Sequence, residues 1–286
     1  MTDVCLVNLS LADLLLVCSL PFLADHARRG WVFGELMCKL VLSIYYIGFY
    51  SGIFFITMMG VDRYLAIVHA IHAMRVRTRT YGILASIVIW IVSVLASFPE
   101  TIFLKVKHYK GNSSVCHSFY GGEEDGNRTA RAGGIVKMNV LGFIIPLIIM
   151  VFCYSMILRR VAMSRSTKKR AMRLIVLVMV VFLCCWAPYN IISFLKSLEL
   201  FGFIGECEPS RAIHSCLQIT ECIAYFHSCV NPLLYVFVGE KFKRHLFRLL
   251  NKGPCMKVQF MKNYLSPTIG SVYSQTTSVD ERSTGL

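Results

Sequence analysis

Charged side chains set inside long apolar stretches are the residues of this sequence best suited to chemistry. Asp13, Glu221 and the adjacent pair Asp62-Arg63 each interrupt a run of otherwise apolar residues. A carboxylate in such a setting costs several kcal/mol unless it has a partner, so it indicates a functional site or a hydrogen bond within the protein. An arginine there pairs with a neighbouring acid or snorkels toward an interface.

Six long apolar stretches must position these residues. Each is long enough for a helix to cross about 30 Å of hydrocarbon, which needs about 20 residues. Helices are expected because the backbone must satisfy its own hydrogen bonds in lipid, and the alternating pattern of a membrane β-barrel is absent. The stretches run approximately Val4–Ala24, Lys39–Val68, Tyr81–Phe103, Val136–Leu158, Leu174–Leu195 and Ile213–Val238.

The composition assigns these stretches to a lipid bilayer. Hydrophobic residues make up 56% of the 286 residues and charged residues only 16%, whereas soluble domains carry about 25% charged residues. The net charge of +14 would suit nucleic acid, but the basic excess sits in loops beside the apolar stretches. Membrane topology and anionic headgroups explain that placement better.

Basic residues in the short loops give the orientation, because such loops favour the cytoplasm. The segments His69–Tyr81 and Arg159–Arg173 carry several basic residues and no acid, so we expect both to be cytoplasmic, together with the tail after Val238. The loop between the third and fourth stretches then lies outside. It holds two Asn-x-Ser/Thr sequons, at Asn112 and Asn127, which predict glycosylation there.

A motif at the inner end of the second stretch connects the sequence to a known family. The string Asp62-Arg63-Tyr64-Leu65-Ala66-Ile67-Val68-His69-Ala70 resembles the chemokine-receptor form of the Asp-Arg-Tyr motif of rhodopsin-like receptors. Further matches at family spacing are Asn8–Asp13, Ser19–Phe22, Trp31–Gly34, Cys38, Trp90, Pro146, Tyr154, Cys185–Asn190 and Asn231–Tyr235. Over nearly its whole length the chain is therefore similar to the CC chemokine receptors.

The resemblance implies an all-α membrane protein, a rhodopsin-like transmembrane helix bundle with six of the seven helices present. A short amphipathic membrane-surface helix would follow from Gly239. Because the stretch from Val4 matches the second family helix, the N-terminus and first helix are expected to be missing, as in a fragment. Residues 1–250 would form the receptor domain, and residues 251–286 would form a disordered, Ser/Thr-rich cytoplasmic tail.

The resemblance also implies roles for individual side chains. A ligand pocket is expected at Glu221, Tyr45, Tyr46, Trp186 and Tyr189. An activation switch is expected at Asp62, Arg63, Tyr64, Tyr154, Trp186, Pro188, Asn231, Pro232 and Tyr235. Asp13 and Asn231 would hold an allosteric sodium ion, and no other cofactor or metal is expected. For the aromatic residues the structural alternative is core packing, and for the acids it is a hydrogen bond within the bundle.

Cysteines on the two sides of the membrane are expected to carry different modifications. The resemblance implies a disulfide between Cys38 and Cys116, which both lie on the predicted outer face, where disulfides persist. The family partner of Cys207 is not in this sequence. On the inner side Cys255 is a candidate for palmitoylation, and the Ser and Thr residues of the tail are candidates for receptor kinases and arrestin.

The implied function is that of a plasma-membrane receptor, not an enzyme. It would bind a CC chemokine and signal through an inhibitory-type G protein to calcium mobilisation and chemotaxis of immune cells. A scavenging, arrestin-engaging chemokine receptor and another rhodopsin-like peptide receptor are the alternatives within the fold. A transporter or channel would need a continuous polar path and often internal repeats, for which the sequence gives no sign.

Overall fold

The computed structural model describes residues 2–71, 73, 78–109, 113–121, 124–162, 169–204 and 208–238. The chain divides into two compact units, Met1–Leu234 and Tyr235–Leu286, and only residues 235–238 of the second unit fall within the described ranges. Several predicted features lie outside the described residues: Asn112, Cys207, Cys255, the surface helix, the tail, and the side chains of Pro232 and Tyr235.

Helices dominate the described part of the chain, which confirms the predicted helical bundle. They are α1 (Thr2–Arg29), α2 (Gly34–Val68), α3 (Arg79–Ile102), α4 (Glu124–Asn139), α5 (Ile145–Ala162), α6 (Lys169–Leu200) and α7 (Glu208–Val238). A π-helical turn, Val140–Ile144, lies between α4 and α5. Two strands, β1 (Leu104–Tyr109) and β2 (Ser113–Ser118), form the one sheet within the described ranges.

Five helical segments within the described ranges are long and apolar enough to cross a membrane. They are Asp3–Arg29, Gly34–Val68, Arg79–Ile102, Gly126–Ala162 and Val180–Leu200. The predicted sixth crossing, Ile213–Val238, is helical within α7 but is not one of the five. Polar residues such as Gln218, Glu221 and His227 dilute its apolar character. The chain is a multi-pass membrane protein.

The helix α2 packs against α1, α3 and α5 and carries much of the buried interior. Its approach to α1 depends on Gly48, because a Cβ at that position would lie 2.9 Å from the backbone nitrogen of Leu16 and 3.1 Å from the carbonyl oxygen of Ala12. Small residues allow such close approach between helices in a membrane. The predicted second stretch is therefore the main packing partner of the first.

The helix α3 places small polar residues inward and large apolar residues outward, as suits a helix that faces lipid. Ser86, Ser93 and Ser97 are buried, whereas Ile87 and Ile91 are exposed. The Ser86 hydroxyl donates to the Gly82 carbonyl oxygen at 2.8 Å and accepts a hydrogen bond from Asn8 Nδ2 of α1 at 3.3 Å. Buried serines thus give α3 a narrow face for packing at no cost in unpaired polar groups.

The outer segment between α3 and α5, predicted as a loop, is instead structured. Strands β1 and β2 pair in antiparallel register, with Val106 opposite Cys116. The prediction that Asn127 lies in a loop is wrong, because Asn127 lies in α4 and its Oδ1 accepts a hydrogen bond from the Tyr120 backbone N–H at 3.1 Å. The polar helix α4 leads through the π-helical turn directly into the apolar helix α5. A hydropathy profile marks only the apolar part, so it does not show that the two are continuous.

Candidate ligand and switch site

Three side chains from two helices meet at the outer part of the bundle. Glu221 and Tyr225 are four residues apart on α7 and therefore lie on one helix face. The Tyr225 hydroxyl donates to Glu221 Oε1 and lies 3.2 Å from the hydroxyl of Tyr45, which α2 supplies. We call Tyr45, Glu221 and Tyr225 the Glu221 cluster.

A continuous series of aromatic contacts runs from the Glu221 cluster to Trp186. Tyr45 contacts Tyr225 with ring centroids 6.0 Å apart, and it stacks with Phe49 at 6.5 Å. The Phe49 ring in turn lies 5.2 Å from the Trp186 ring, in an edge-to-face arrangement. Aromatic pairs favour this geometry and these separations. The expected pocket residues Tyr45 and Trp186 are thereby joined through Phe49.

The other two expected pocket residues lie at the edges of this series. Tyr46 contacts Tyr45 with ring centroids 5.3 Å apart, and Tyr189 contacts Trp186 at 6.2 Å. All five predicted ligand residues therefore belong to one connected group of side chains in the bundle.

Several buried polar atoms around Trp186 have no hydrogen-bond partner within the described part of the chain. They are Trp186 Nε1, His227 Nε2, whose ring contacts Trp186 at 6.2 Å, and Asn231 Oδ1, one helical turn from His227 on α7. We call Trp186, His227 and Asn231 the Trp186 cluster. A buried polar group left unpaired costs about 1–3 kcal/mol. Any rearrangement or water that satisfies these atoms is therefore favoured.

The helix α6 can bend beside this cluster. Pro188 lies inside α6, two residues after Trp186, and proline removes one backbone hydrogen bond from a helix. The side chain of Asn190 donates to the Trp186 carbonyl oxygen at 2.8 Å. The Ser193 hydroxyl donates to Asn139 Oδ1 at 3.0 Å and so links α6 to α4. A change at Trp186 is thus coupled to the outer half of α6.

Asp13 and Asn231 form a direct contact between α1 and α7. The Asn231 amide donates to Asp13 Oδ2 at 3.1 Å. Asn231 itself is 1% exposed, and its other polar atom, Oδ1, has no partner among the described residues. The contact brings together the two residues that the sequence predicts as a sodium site.

The inner end of α2 carries the predicted Asp-Arg-Tyr residues. Asp62 is fully buried, and both Asp62 and Arg63 have interaction partners. The Tyr64 hydroxyl lies 3.0 Å from His69 Nε2. Tyr154 on α5 is buried, and a Cβ added at Gly60 would lie 3.4 Å from its hydroxyl. Tyr154 thus reaches α2 one turn before Arg63.

The outer end of the bundle is fastened by covalent and ionic contacts. Cys38 and Cys116 form a disulfide with Cα atoms 5.8 Å apart, which confirms the predicted pairing. Trp31, Cys38, Val41, Leu42, Leu104 and Cys116 form a buried apolar cluster around it. Within this region, burial lowers the pKa of His117, whose Nδ1–H donates to the Ser118 carbonyl oxygen at 2.9 Å.

A buried ion pair joins α3 to α4 in the same outer region. Lys137 Nζ lies 2.5 Å from Glu100 Oε2 and donates to the Ala96 carbonyl oxygen at 2.7 Å. Glu100 is 6% exposed, so the pair fixes two helices with little solvent between them.

Sequence reasoning missed three residues of the site, namely Phe49, Tyr225 and His227. Tyr225 follows Glu221 by four residues, so its place on the same helix face was available from helical periodicity. His227 contacts Trp186, with ring centroids 6.2 Å apart, but a single His in an apolar helix carries no specific signal.

A known family matches most of the chain. The family described as 7 transmembrane receptor (rhodopsin family) matches residues 1–235.

Proposed function

The chain belongs to the rhodopsin family of seven-transmembrane receptors, and from this premise we propose that it is a G-protein-coupled receptor for CC chemokines. Family membership accounts for the lipid bilayer and for G protein coupling. The finer assignment to CC chemokines rests on the chemokine-receptor form of the motif from Asp62 to Ala70 and on Glu221.

Glu221 is the observation that carries the proposal. Its carboxylate is half-buried, faces Tyr45 across the bundle, and is joined by aromatic contacts to Trp186 beside Pro188. In this proposal a basic group of the chemokine binds Glu221, and the displaced aromatic rings move Trp186. The ligand then biases two pre-existing receptor states through its differential contacts with them.

The inner end of the proposed mechanism is the Asp62-Arg63-Tyr64 string. Arg63 would leave Asp62 on activation and contact Tyr154, which would open a cleft for an inhibitory-type G protein. Asn231, Pro232 and Tyr235 would deform α7 in the same step, because Pro232 removes a backbone hydrogen bond. Binding of the extracellular ligand and binding of the intracellular G protein would then be coupled through one two-state conformational change.

The sodium ion belongs to this proposal as a stabiliser of the resting state. Sodium is a hard cation that takes oxygen ligands, as calcium and magnesium do. Asp13 offers a carboxylate, and Asn231 Oδ1 is a buried oxygen without a hydrogen-bond partner among the described residues, so the pair fits such an ion. Bound there, the ion would neutralise Asp13 and hold α1 to α7.

The remaining proposals follow from the family resemblance. The receptor would lie in the plasma membrane with a cytoplasmic tail that receptor kinases and arrestin engage. Asn112 and Asn127 would carry glycans, and Cys255 would carry a palmitoyl group. Its signal would mobilise calcium and direct the migration of immune cells.

Exposure to a panel of CC chemokines, with CXC chemokines as the matched control, tests the ligand class. The full chain is expressed in mammalian cells and forskolin-stimulated cyclic AMP is measured. At least one CC chemokine should lower cyclic AMP in a manner that pertussis toxin abolishes. Arrestin recruitment without a cyclic AMP response would favour the scavenging receptor, and no response to any CC chemokine would overturn the proposed ligand class.

The substitution Glu221→Gln tests the role of the carboxylate. It removes the negative charge while keeping the size of the side chain, so chemokine potency should fall roughly tenfold or more at unchanged surface expression. Gln218→Glu, one turn earlier on an exposed part of α7, is a matched control that should leave potency unchanged. Equal potency of Glu221→Gln and the parent would assign Glu221 to a structural role.

A further inference from the structure

Tyr225 contacts both of the residues around which the proposed pocket is built. A phenol has one proton to donate, and an ionised carboxylate only accepts. The Tyr225 proton must therefore point to Glu221 Oε1, and the proton in the second contact, at 3.2 Å, must come from Tyr45. The Glu221 cluster is thus a directed chain of hydrogen bonds from Tyr45 through Tyr225 to the carboxylate.

The chain of hydrogen bonds crosses from one helix to another. Tyr45 belongs to α2, whereas Tyr225 and Glu221 belong to α7. Tyr45 is itself held by ring contacts with Tyr46 and Phe49. Its hydroxyl is therefore a fixed point against which Tyr225, and through it Glu221, is oriented.

The partner of Glu221 is a neutral phenol, and no basic side chain pairs with Glu221 within the described ranges. A carboxylate offers about four acceptor positions on its two oxygens. One bond from Tyr225 leaves its negative charge and most of these positions available. We propose that the Tyr225 hydroxyl is a positioning group that holds the Glu221 carboxylate ready for an ammonium or guanidinium group of the ligand, and that Tyr45 holds Tyr225.

This inference rests on the proposed function for the identity of the ligand. The positive charge of the ligand follows instead from the negative charge of Glu221. A side chain held in its binding conformation loses less freedom when the ligand arrives, so affinity rises without a new contact. A bond to an ionised acceptor is also about twice as strong as a neutral one. Loss of the Tyr225 hydroxyl should therefore weaken binding of cations and leave neutral ligands unaffected.

Four single variants and one double variant of the full chain, purified in detergent, test the inference with a probe that needs no chemokine. The probe is 2-phenylethylammonium, and the neutral isostere is 2-phenylethanol. The thermal unfolding midpoint is measured against probe concentration. In the parent the ammonium should bind more tightly than the alcohol, and Glu221→Gln should abolish that preference.

Tyr225→Phe should weaken ammonium binding roughly tenfold, the loss expected for one hydrogen bond to a charged group, and should not change binding of the alcohol. Tyr45→Phe should produce a smaller loss of about threefold and, in the Tyr225→Phe background, no further loss, because both act along one chain. Tyr81→Phe, on an exposed face of α3, is the matched control and should behave as the parent.

Two results would overturn the inference: Tyr225→Phe that binds the ammonium as tightly as the parent, or a parent that does not prefer the ammonium to the alcohol. If Tyr225→Phe fails to fold, Tyr45→Phe decides by the same measurement. A protein that shows the predicted ammonium preference but responds to no CC chemokine would contradict the proposed ligand class. The proposed role of Tyr225 and Tyr45 would still hold.

Discussion

The side chains that join neighbouring elements at the outer end of the bundle are paired with one another, whereas atoms of the Trp186 cluster lack hydrogen-bond partners within the described part of the chain. At the outer end Lys137 binds Glu100, Tyr225 binds Glu221, and the disulfide from Cys38 to Cys116 fastens the hairpin. Satisfied and covalent contacts resist rearrangement, because breaking one leaves a buried group unpaired. The outer end is suited to hold a shape that a ligand recognises.

The Trp186 cluster is suited to change. Its unpaired atoms contribute little to holding one arrangement, and α6 lacks one backbone hydrogen bond at Pro188. A second arrangement of similar free energy is then within reach of a ligand that prefers it. Under the proposed function, the recognition region and the switching region would therefore differ in how completely their polar groups are paired.

The largest effect is expected at the outer end, where Cys38→Ala removes the disulfide. Loss of a native disulfide typically costs about 2–5 kcal/mol, and here it also releases the β1–β2 hairpin from α2. Surface receptor, measured by flow cytometry, should fall to a small fraction of the parent. Cys18→Ala, at an exposed free cysteine of α1, should keep parental surface levels. Normal expression of Cys38→Ala would show that the hairpin is held without the disulfide.

Arg63→Ala should abolish signalling and spare the fold, which would sharpen the contrast between the two ends. The guanidinium lies in the proposed G protein cleft, far from the paired contacts of the outer end. Cyclic AMP inhibition by an activating chemokine should be lost at parental surface expression. Arg160→Ala, exposed on the inner part of α5, serves as the control with retained signalling. A fully active Arg63→Ala would contradict the switch and favour an arrestin-engaging scavenger.

Gly48→Ala tests whether packing, rather than polar pairing, fixes the helices between the two regions. The added Cβ would lie 2.9 Å from the Leu16 backbone nitrogen, so α1 must move away. Overpacking of this kind costs about 1–3 kcal/mol, which corresponds to a fall of roughly 2–10 °C in the unfolding midpoint of the purified receptor.

The control for Gly48→Ala is Gly133→Ala, because a Cβ at Gly133 meets no atom within 4 Å. Alanine favours a helix over glycine by about 1 kcal/mol, so the control midpoint should stay or rise. Equal midpoints for the two variants would mean that α1 and α2 adjust freely at Gly48.

The smallest effect concerns pH at the outer end. Burial lowers the pKa of His117 below its value in the unfolded chain, so the unfolded state binds more protons between the two values. The stability from neutral His117 is present above a pH of about 6.5 and is lost as pH falls below it. The unfolding midpoint of His117→Gln should therefore fall less on acidification than that of the parent. The control is His214→Gln, at an exposed position of α7. Its unfolding midpoint should fall on acidification as much as that of the parent.

Much of the site was implied by the family resemblance. Glu221, Tyr45 and Trp186 were predicted together, and the structure joins them through Tyr225 and Phe49. Phe49 was not predicted, because an aromatic residue in an apolar helix looks the same whether it connects two sites or fills a core. The antiparallel hairpin was missed as well, since two strands of six residues each give little hydropathy signal beside long apolar helices.

By itself the sequence determined the membrane environment, the helices and the rhodopsin-like family. Hydropathy, basic loops and short motifs are each defined by residues close together in the chain, so they can be recognised without knowing any tertiary contact. Only the tertiary structure decided that Tyr225 stands between Tyr45 and Glu221, that Gly48 admits α1, and that α4 extends through Asn127. These features depend on distances between residues far apart in the chain, and such distances are set by packing of the whole bundle rather than by any one segment.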